Sequence, residues 1–263
     1  MRLLTSLTPP GAPDPGPGSS VVLFPYAGGA PRAYQHVAGH LRDHRVDAVT
    51  YPGRDHLLDT GEASSIQTLA RQVADEVLSR PDADDSTVLL VGHSLGAFVA
   101  YETALALAGA ERHSRVVLVA SGQNPPLPRG TVPVPCPMTD TEIVADIVRQ
   151  NPASRQVWAD EALRDFFLPA VRADYRLLRE YRPSGGAVEE VHLVVADDDT
   201  EVDHSVVGRW QEFSHRALRV TRVSGGHMYL QQDGRLLAAV VQAAVAAGPP
   251  APDRRAREDQ DDV

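Results

Sequence analysis

Short β-branched runs alternate with amphipathic stretches along this chain of 263 residues, and that alternation restricts the fold more than any other feature. VVLF at 21–24, VDAVT at 46–50, TVLLV at 87–91, RVVLVA at 115–120, VHLVV at 191–195 and LRVTRV at 218–223 read as strands, most of them apolar on both faces. Strands of that kind belong in a sheet covered on both sides, the situation of a parallel sheet between helices. Helical periodicity fills the gaps at 32–42, 64–80, 95–109, 203–214 and 233–247. The expected architecture is one α/β domain over residues 20–247 with a mostly parallel, doubly wound sheet.

One stretch breaks the alternation. Residues 139–182 have helical patterning and no strand, so a helical lid inserted at about 125–185 is expected. Within it Phe167, Val171, Tyr175 and Leu178 share one apolar face, and Arg172, Arg176 and Arg179 line a neighbouring one. The plain reading is a helix packed on the body, its arginines paired to Asp174 and Glu180. The sharper one is a lid whose apolar underside meets an acyl chain.

Proline ends regular structure because it lacks an N–H and clashes inside a helix. Its clusters at 9–17, 125–137 and 249–252 mark an N-terminal tail (1–19) and a C-terminal tail (248–263), both expected to be disordered, and a crossing that leads into the lid.

Composition removes several chemistries. The single cysteine, Cys136, excludes an intramolecular disulfide and any Cys-rich metal site, and a reducing cytoplasmic setting follows as the default. A net charge of −10 argues against nucleic acid as a partner. All 25 cationic side chains are arginine, so a catalytic lysine, a Schiff base or a P-loop is impossible. No apolar run reaches the roughly 18 residues of a membrane span, and the first residues lack a signal-peptide core, so no membrane association is expected.

Gly92-His93-Ser94-Leu95-Gly96 is a G-x-S-x-G elbow, entered from an apolar strand and left by an apolar helix. Strand, sharp turn and helix push a serine hydroxyl out above a sheet, and side chains at the two glycine positions would collide with the neighbouring strand and helix. A serine needs a base, and the base needs an acid to fix its tautomer, in the chain order Ser, Asp, His. Among ten histidines only His227 follows the last strand and stands in a Gly-rich turn, SGGHMYL, before the final helix. His93 should point away from the serine, and His192, His204 and His215 read as structural. The acid should follow the strand VHLVVA, where Asp197, Asp198 and Asp199 stand in a row, and spacing alone does not choose among them. An oxyanion hole needs two N–H donors: the backbone of Leu95, and one from the loop FPYAGG after the first strand.

Taken in order, FPYAGG (24–29), YPGR (51–54), GHSLGAFVAYE (92–102), VRADY (171–175) and GGHMYL (225–230) resemble the external, or type II, thioesterases that accompany modular polyketide and nonribosomal peptide synthases. The resemblance implies an α/β-hydrolase fold and a triad of Ser94, Asp199 and His227. Asp199 follows from the family's G-x-x-D-P turn, with Ala196 and Thr200 departing from it and Asp198 the alternative. It also implies oxyanion donors at Ala27 and Leu95, and Tyr26 at a position where many members carry His. Substrate would be an acyl group on the phosphopantetheine arm of an acyl or peptidyl carrier protein, with no metal and no cofactor of the enzyme's own. Tyr26, Arg172, Tyr175, Arg176, Arg179 and Met228 are the candidate carrier or substrate contacts, and a monomer is expected. Chain release or hydrolysis of small-molecule esters are the rival activities on the same fold.

Overall fold

The computed structural model describes residues 1–8, 19–80, 87–110, 115–128 and 139–247. Its strands are β1 (Leu4–Ser6), β2 (Ser19–Phe24), β3 (Arg45–Val49), β4 (Thr87–His93), β5 (Arg115–Ser121), β6 (Glu190–Ala196) and β7 (Arg219–Val223). They form one sheet in the order β1-β3-β2-β4-β5-β6-β7, with β1 antiparallel to β3 and every other pair parallel. The chain winds outward to β3 and then back past β2 to β4, so the direction of winding reverses between β2 and β4. Ligands of such sheets bind beyond the carboxyl ends of the strands at that switch point. Here Phe24 and Gly92 face each other in the β2–β4 register at that place.

Alternate side chains of each central strand serve two cores. Val22 and Phe24, Val88 and Leu90, and Leu118 and Ala120 pack on one face with α2 (Ile66–Leu78) and α3 (Leu95–Ala108). Val21 and Leu23, Leu89 and Val91, and Val117 and Val119 pack on the other with the single turn α1 (Gln35–Ala38) and α8 (Gly234–Ala246). Apolarity on both faces of these strands is thereby explained. Strand β7 differs: four of its five residues are exposed, as suits an edge.

The lid consists of α4 (Asp140–Gln150), α5 (Arg155–Ala159) and α6 (Glu161–Glu180). Thr139 and Glu142 form a reciprocal capping box on α4, and Asp160 caps α6. Ile143, Trp158, Leu168, Val171 and Tyr175 give the lid a small core of its own, against which Ala27 packs. After β7 the chain makes the short α7 (Tyr229–Gln232) before α8.

Three expectations require correction. Residues 1–8 are not a disordered tail: β1 pairs with β3, Leu3 and Leu4 are buried, and their N–H groups donate to the Glu76 carboxylate on α2. Such a three-residue strand is too short for periodicity to reveal. The rest of that tail (9–18), most of the Pro-rich crossing (129–138) and the C-terminal tail (248–263) lie outside the described residues. The helix expected at 203–214 is a 3-10 segment over Val207–Phe213, and the one at 32–42 is a 3-10 turn, Pro31–Tyr34, followed by α1.

Burial of Leu3 makes the first correction testable. Leu3→Ala should cost about 2–5 kcal/mol in urea denaturation, the usual range for truncating a core leucine. A free tail would give no change.

Candidate active site

The elbow has the strain its motif requires. Ser94 sits at φ 54° and ψ −122°, a left-handed conformation that costs a non-glycine residue roughly 1–3 kcal/mol. Its N–H donates to the Ser121 carbonyl at 2.9 Å, which ties the turn to the end of β5. Neither flanking glycine can be replaced: a Cβ on Gly92 would lie 2.2 Å from the Gly96 carbonyl oxygen, and one on Gly96 would lie 2.0 Å from that of Phe24. The serine itself is half-buried, while its neighbours Gly92, His93, Leu95 and Gly96 are buried.

The candidate acid and base meet at the same edge. Nδ1 of His227 faces both oxygens of Asp199, at 2.9 and 3.1 Å, and both side chains are almost wholly buried. The ring proton therefore belongs on Nδ1, which leaves Nε2 as the free base. Asp199 is fixed further by the Glu201 N–H, 2.9 Å from Oδ1, and Nε2 of His204 lies 3.0 Å from its main-chain carbonyl. Asp197 and Asp198 are exposed, and Asp197 pairs with Arg222. Burial and contact thus separate three aspartates that spacing could not.

Tyr26 to Gly29 form a turn closed by the Gly29 N–H on the Tyr26 carbonyl at 2.8 Å, with Gly28 at φ +78°. That geometry favours glycine at the third position, and the Ala27 N–H takes no part in the closing bond. Leu95 is the first residue of α3, so its N–H is one of the four at a helix start without an intrahelical acceptor. The two donors expected of an oxyanion hole stand at the ends of adjacent strands.

A thioesterase domain family model matches residues 19–244, most of the chain. The chain belongs to the thioesterase domain family. It is 31% identical over 245 residues to phenyloxazoline synthase MbtB of Mycobacterium tuberculosis, a match covering 89% of this chain and 16% of that protein, so it spans about a sixth of that relative. It is 30% identical over 224 residues to thioesterase PikA5 of Streptomyces venezuelae, covering 82% of this chain and 78% of that one. The structure of the type II thioesterase BorB from the borrelidin biosynthetic cluster superposes with a TM-score of 0.77 at 27% identity, over 92% of this chain and 97% of that one. The α/β-hydrolase fold implied by the motifs stands.

The helical insertion differs in detail from the sequence reading. Asp174 does not pair with the surface arginines. It is buried and bound through both oxygens to Arg54 Nη2, at 2.7 and 2.8 Å. Burial raises its pKa, and the Arg54 charge and the Gly28 N–H, which donates to it at 2.8 Å, act against that rise. Removing one partner of such a pair leaves an uncompensated charge, at a cost of roughly 3–5 kcal/mol. Arg172 forms a two-pronged pair with Asp140, Arg176 pairs with Glu62, and Arg179 lies 3.9 Å from Glu180. Tyr175 packs in the lid core and donates to Asp146, and Met228 is buried beside His227. Tyr26 presents its ring edge-on to His93 and its hydroxyl accepts from Gln231, which in turn accepts from Asn151 of the lid. A signal for Asp174 did exist: a carboxylate set among Val171, Tyr175 and Leu178 on a helix's apolar face must find a buried cation.

His93 is buried. Nδ1 bonds to the Ser121 hydroxyl at 3.0 Å, that hydroxyl bonds to Tyr229 Oη at 2.9 Å, and the ring centroid lies 4.9 Å from that of His227. Gly122, at φ +58°, makes room for both rings: a Cβ there would come within 2.5 Å of His93 and 3.3 Å of His227. Burial, and then the neighbouring His227, hold the His93 pKa well below the ordinary imidazole value. The folded protein therefore binds fewer protons than the unfolded chain below about pH 6.5, so this contribution to stability is complete above that pH and is lost as pH falls. In an NMR titration the His93 Cε1–H resonance should stay flat from pH 7.5 to 6, and an inflection near 6.5 would contradict its burial as a neutral ring.

Proposed function

We propose that the chain is an external thioesterase that hydrolyses acyl groups from the phosphopantetheine arm of an acyl or peptidyl carrier protein, clearing stalled or aberrant chains from a modular synthase. The observation that carries the reading is the buried Asp199–His227 pair at the same edge of the sheet as the strained, half-buried Ser94, on a chain of the thioesterase family. Similarity to PikA5 and to the type II enzyme BorB supports the carrier-bound substrate.

Ser94 Oγ attacks the thioester carbonyl carbon while Nε2 of His227 takes the hydroxyl proton. A C–O bond forms, and the carbonyl electron pair moves onto oxygen, where the Ala27 and Leu95 N–H groups receive it. Asp199 holds the imidazolium that results. Collapse breaks the C–S bond, and His227 returns its proton to the leaving thiolate, which frees the carrier's thiol. Water, deprotonated by His227, then attacks the acyl-Ser94 ester, and a second collapse yields the carboxylic acid and free serine. No step calls for a metal, and the described residues contain no group of three His, Cys, Asp or Glu that could hold one. No helix among them is long and apolar enough to cross a membrane.

Docking of the carrier finds better support in apolar contact than in arginine. Arg172 and Arg176 already have carboxylate partners, whereas Leu163 and Phe166 on α6 are 42% and 57% exposed. Release of a finished chain is the second reading, favoured by the match to one segment of a synthase, MbtB.

Ser94→Ala should abolish hydrolysis, by several orders of magnitude, in a protein that still melts cooperatively. Asp199→Asn should lower kcat by about 10⁴-fold, the loss seen when a triad acid is neutralised. Asp198→Asn should leave kcat within about threefold of the parent, and the opposite pattern would move the acid by one residue. An acyl carrier protein should be a better substrate by kcat/KM than a p-nitrophenyl ester of the same acyl group. A preference for the free ester would favour the small-molecule esterase instead.

A further inference from the structure

Two of the motifs, FPYAGG and YPGR, and the buried carboxylate of VRADY have no part in the reaction steps above, apart from the donor at Ala27. All three meet on one short stretch of backbone. Tyr51 Oη donates to the Pro25 carbonyl at 2.9 Å, and Arg54 Nη1 donates to the Gly29 carbonyl at 2.7 Å. Asp174 accepts the Gly28 N–H at 2.8 Å while both its oxygens accept from Arg54 Nη2. The Arg54 guanidinium also lies 5.4 Å from the Tyr51 ring centroid. Side chains from the loop after β3 and from lid helix α6 thus grip the peptide groups on both sides of Ala27.

The two oxyanion donors are not held alike. Leu95 N–H is fixed by α3, whose first turn is locked against β2 by the close approach at Gly96. Ala27 stands in a turn with two glycines, the backbone with the most freedom to lose. A donor stabilises a developing oxyanion only if it already stands about 2.7–3.1 Å from where that oxygen will be. Displacement by about 1 Å can cost on the order of 100-fold in rate. Whatever restrains residues 25–29 therefore acts on the chemical step.

We propose that Tyr51, Arg54 and Asp174 are positioning residues for the oxyanion donor at Ala27, so that lid helix α6, through Asp174, belongs to the catalytic frame as well as to the cover. Buried, charge-assisted hydrogen bonds suit the task, being short, directional and little screened by salt. Lid contacts reinforce it: a Cβ on Gly28 would lie 3.1 Å from Val171, and one on Gly53 would lie 3.3 Å from Ala170, so α6 packs directly on both loops. The proposal rests on the assignment of Ser94 as nucleophile and of Ala27 and Leu95 as donors.

The test separates positioning from stability. Asp174→Asn, and the double variant Arg54→Met with Asp174→Leu, are compared with the parent by acylation burst on p-nitrophenyl acetate, by melting temperature, and by inhibition with an alkylthio-trifluoromethyl ketone and the matching methyl ketone. The trifluoromethyl ketone adds the serine and places an anionic oxygen in the hole, which the methyl ketone does not do appreciably. Asp174→Asn should lower the acylation rate by about 10–100-fold with KM within about threefold, somewhat less than the loss on deleting a donor outright. The double variant leaves no unpaired buried charge, so its melting temperature should recover toward the parent while the acylation defect and the weakened trifluoromethyl ketone inhibition persist. Recovery of acylation along with stability would overturn the proposal. Should the double variant fail to fold, Tyr51→Phe removes one hydroxyl donor only. It should slow acylation by about 3–10-fold at unchanged melting temperature, and parental acylation there would equally overturn the proposal. Retained turnover in Ser94→Ala, run beside these, would instead defeat the catalytic assignment on which the proposal stands.

Discussion

At Gly96 the start of helix α3 approaches the end of strand β2 so closely that a single added carbon would fall 2.0 Å from the Phe24 carbonyl oxygen. That contact brings together the helix start carrying the Leu95 N–H and the loop that leaves Phe24 for Ala27, the two segments proposed above to share one substrate oxygen. The strained φ of Ser94 is sustained by the same crowding, since β4, α3 and the Ser121 carbonyl fix the turn from three sides. The winding of the sheet reverses between β2 and β4, the kind of place at which such sheets bind their ligands. Asp199 and His227 stand on the loops after β6 and β7, at the same edge of the sheet, and the core of the helical insertion packs against Ala27.

The lid is held by anchors of very different kinds. At one end Glu102, buried on α3, accepts from the Tyr181 hydroxyl and from both the N–H and the hydroxyl of Ser184, which secures the chain as it leaves α6. In the middle the Arg54–Asp174 pair is shielded from water. At the other end Arg149 of α4 pairs with Glu201 in an exposed setting, beside the bond from Asn151 to Gln231. Exposed pairs typically contribute about 0–1 kcal/mol, far less than breaking a buried pair costs. The exposed anchor touches the segments that follow Asp199 and His227, and the buried one touches the loop of Ala27. Each of these loops therefore has its own contact with the helical insertion.

Much of this was legible in the sequence, for reasons visible in particular residues. The central strands are apolar on both faces because each feeds two cores, and their hydrophobic runs could be read directly. The elbow was legible because only glycine fits at positions 92 and 96. His227 was singled out by its place after the last strand. The first strand escaped notice because three residues show no period, and because Leu3 and Leu4 are buried by partners far along the chain on β3 and α2. The surface arginines invited a role in docking because linear spacing says nothing of Asp140 and Glu62, which neutralise Arg172 and Arg176.

By itself the sequence determined the class of fold, the glycine-flanked serine turn, the histidine that follows the last strand, and the chemistries that lysine and cysteine could have supplied but do not. These depend on local pattern, on residue type and on chain order, all of which are one-dimensional. Only the tertiary structure decided which of three consecutive aspartates is buried against the imidazole. It alone also decided that Arg54 and Asp174, 120 positions apart, share a buried contact on the loop beside Ala27. The physical reason is common to both: the role of a charged side chain follows from its desolvation and its partner, and both are set by whichever distant segment folds against it.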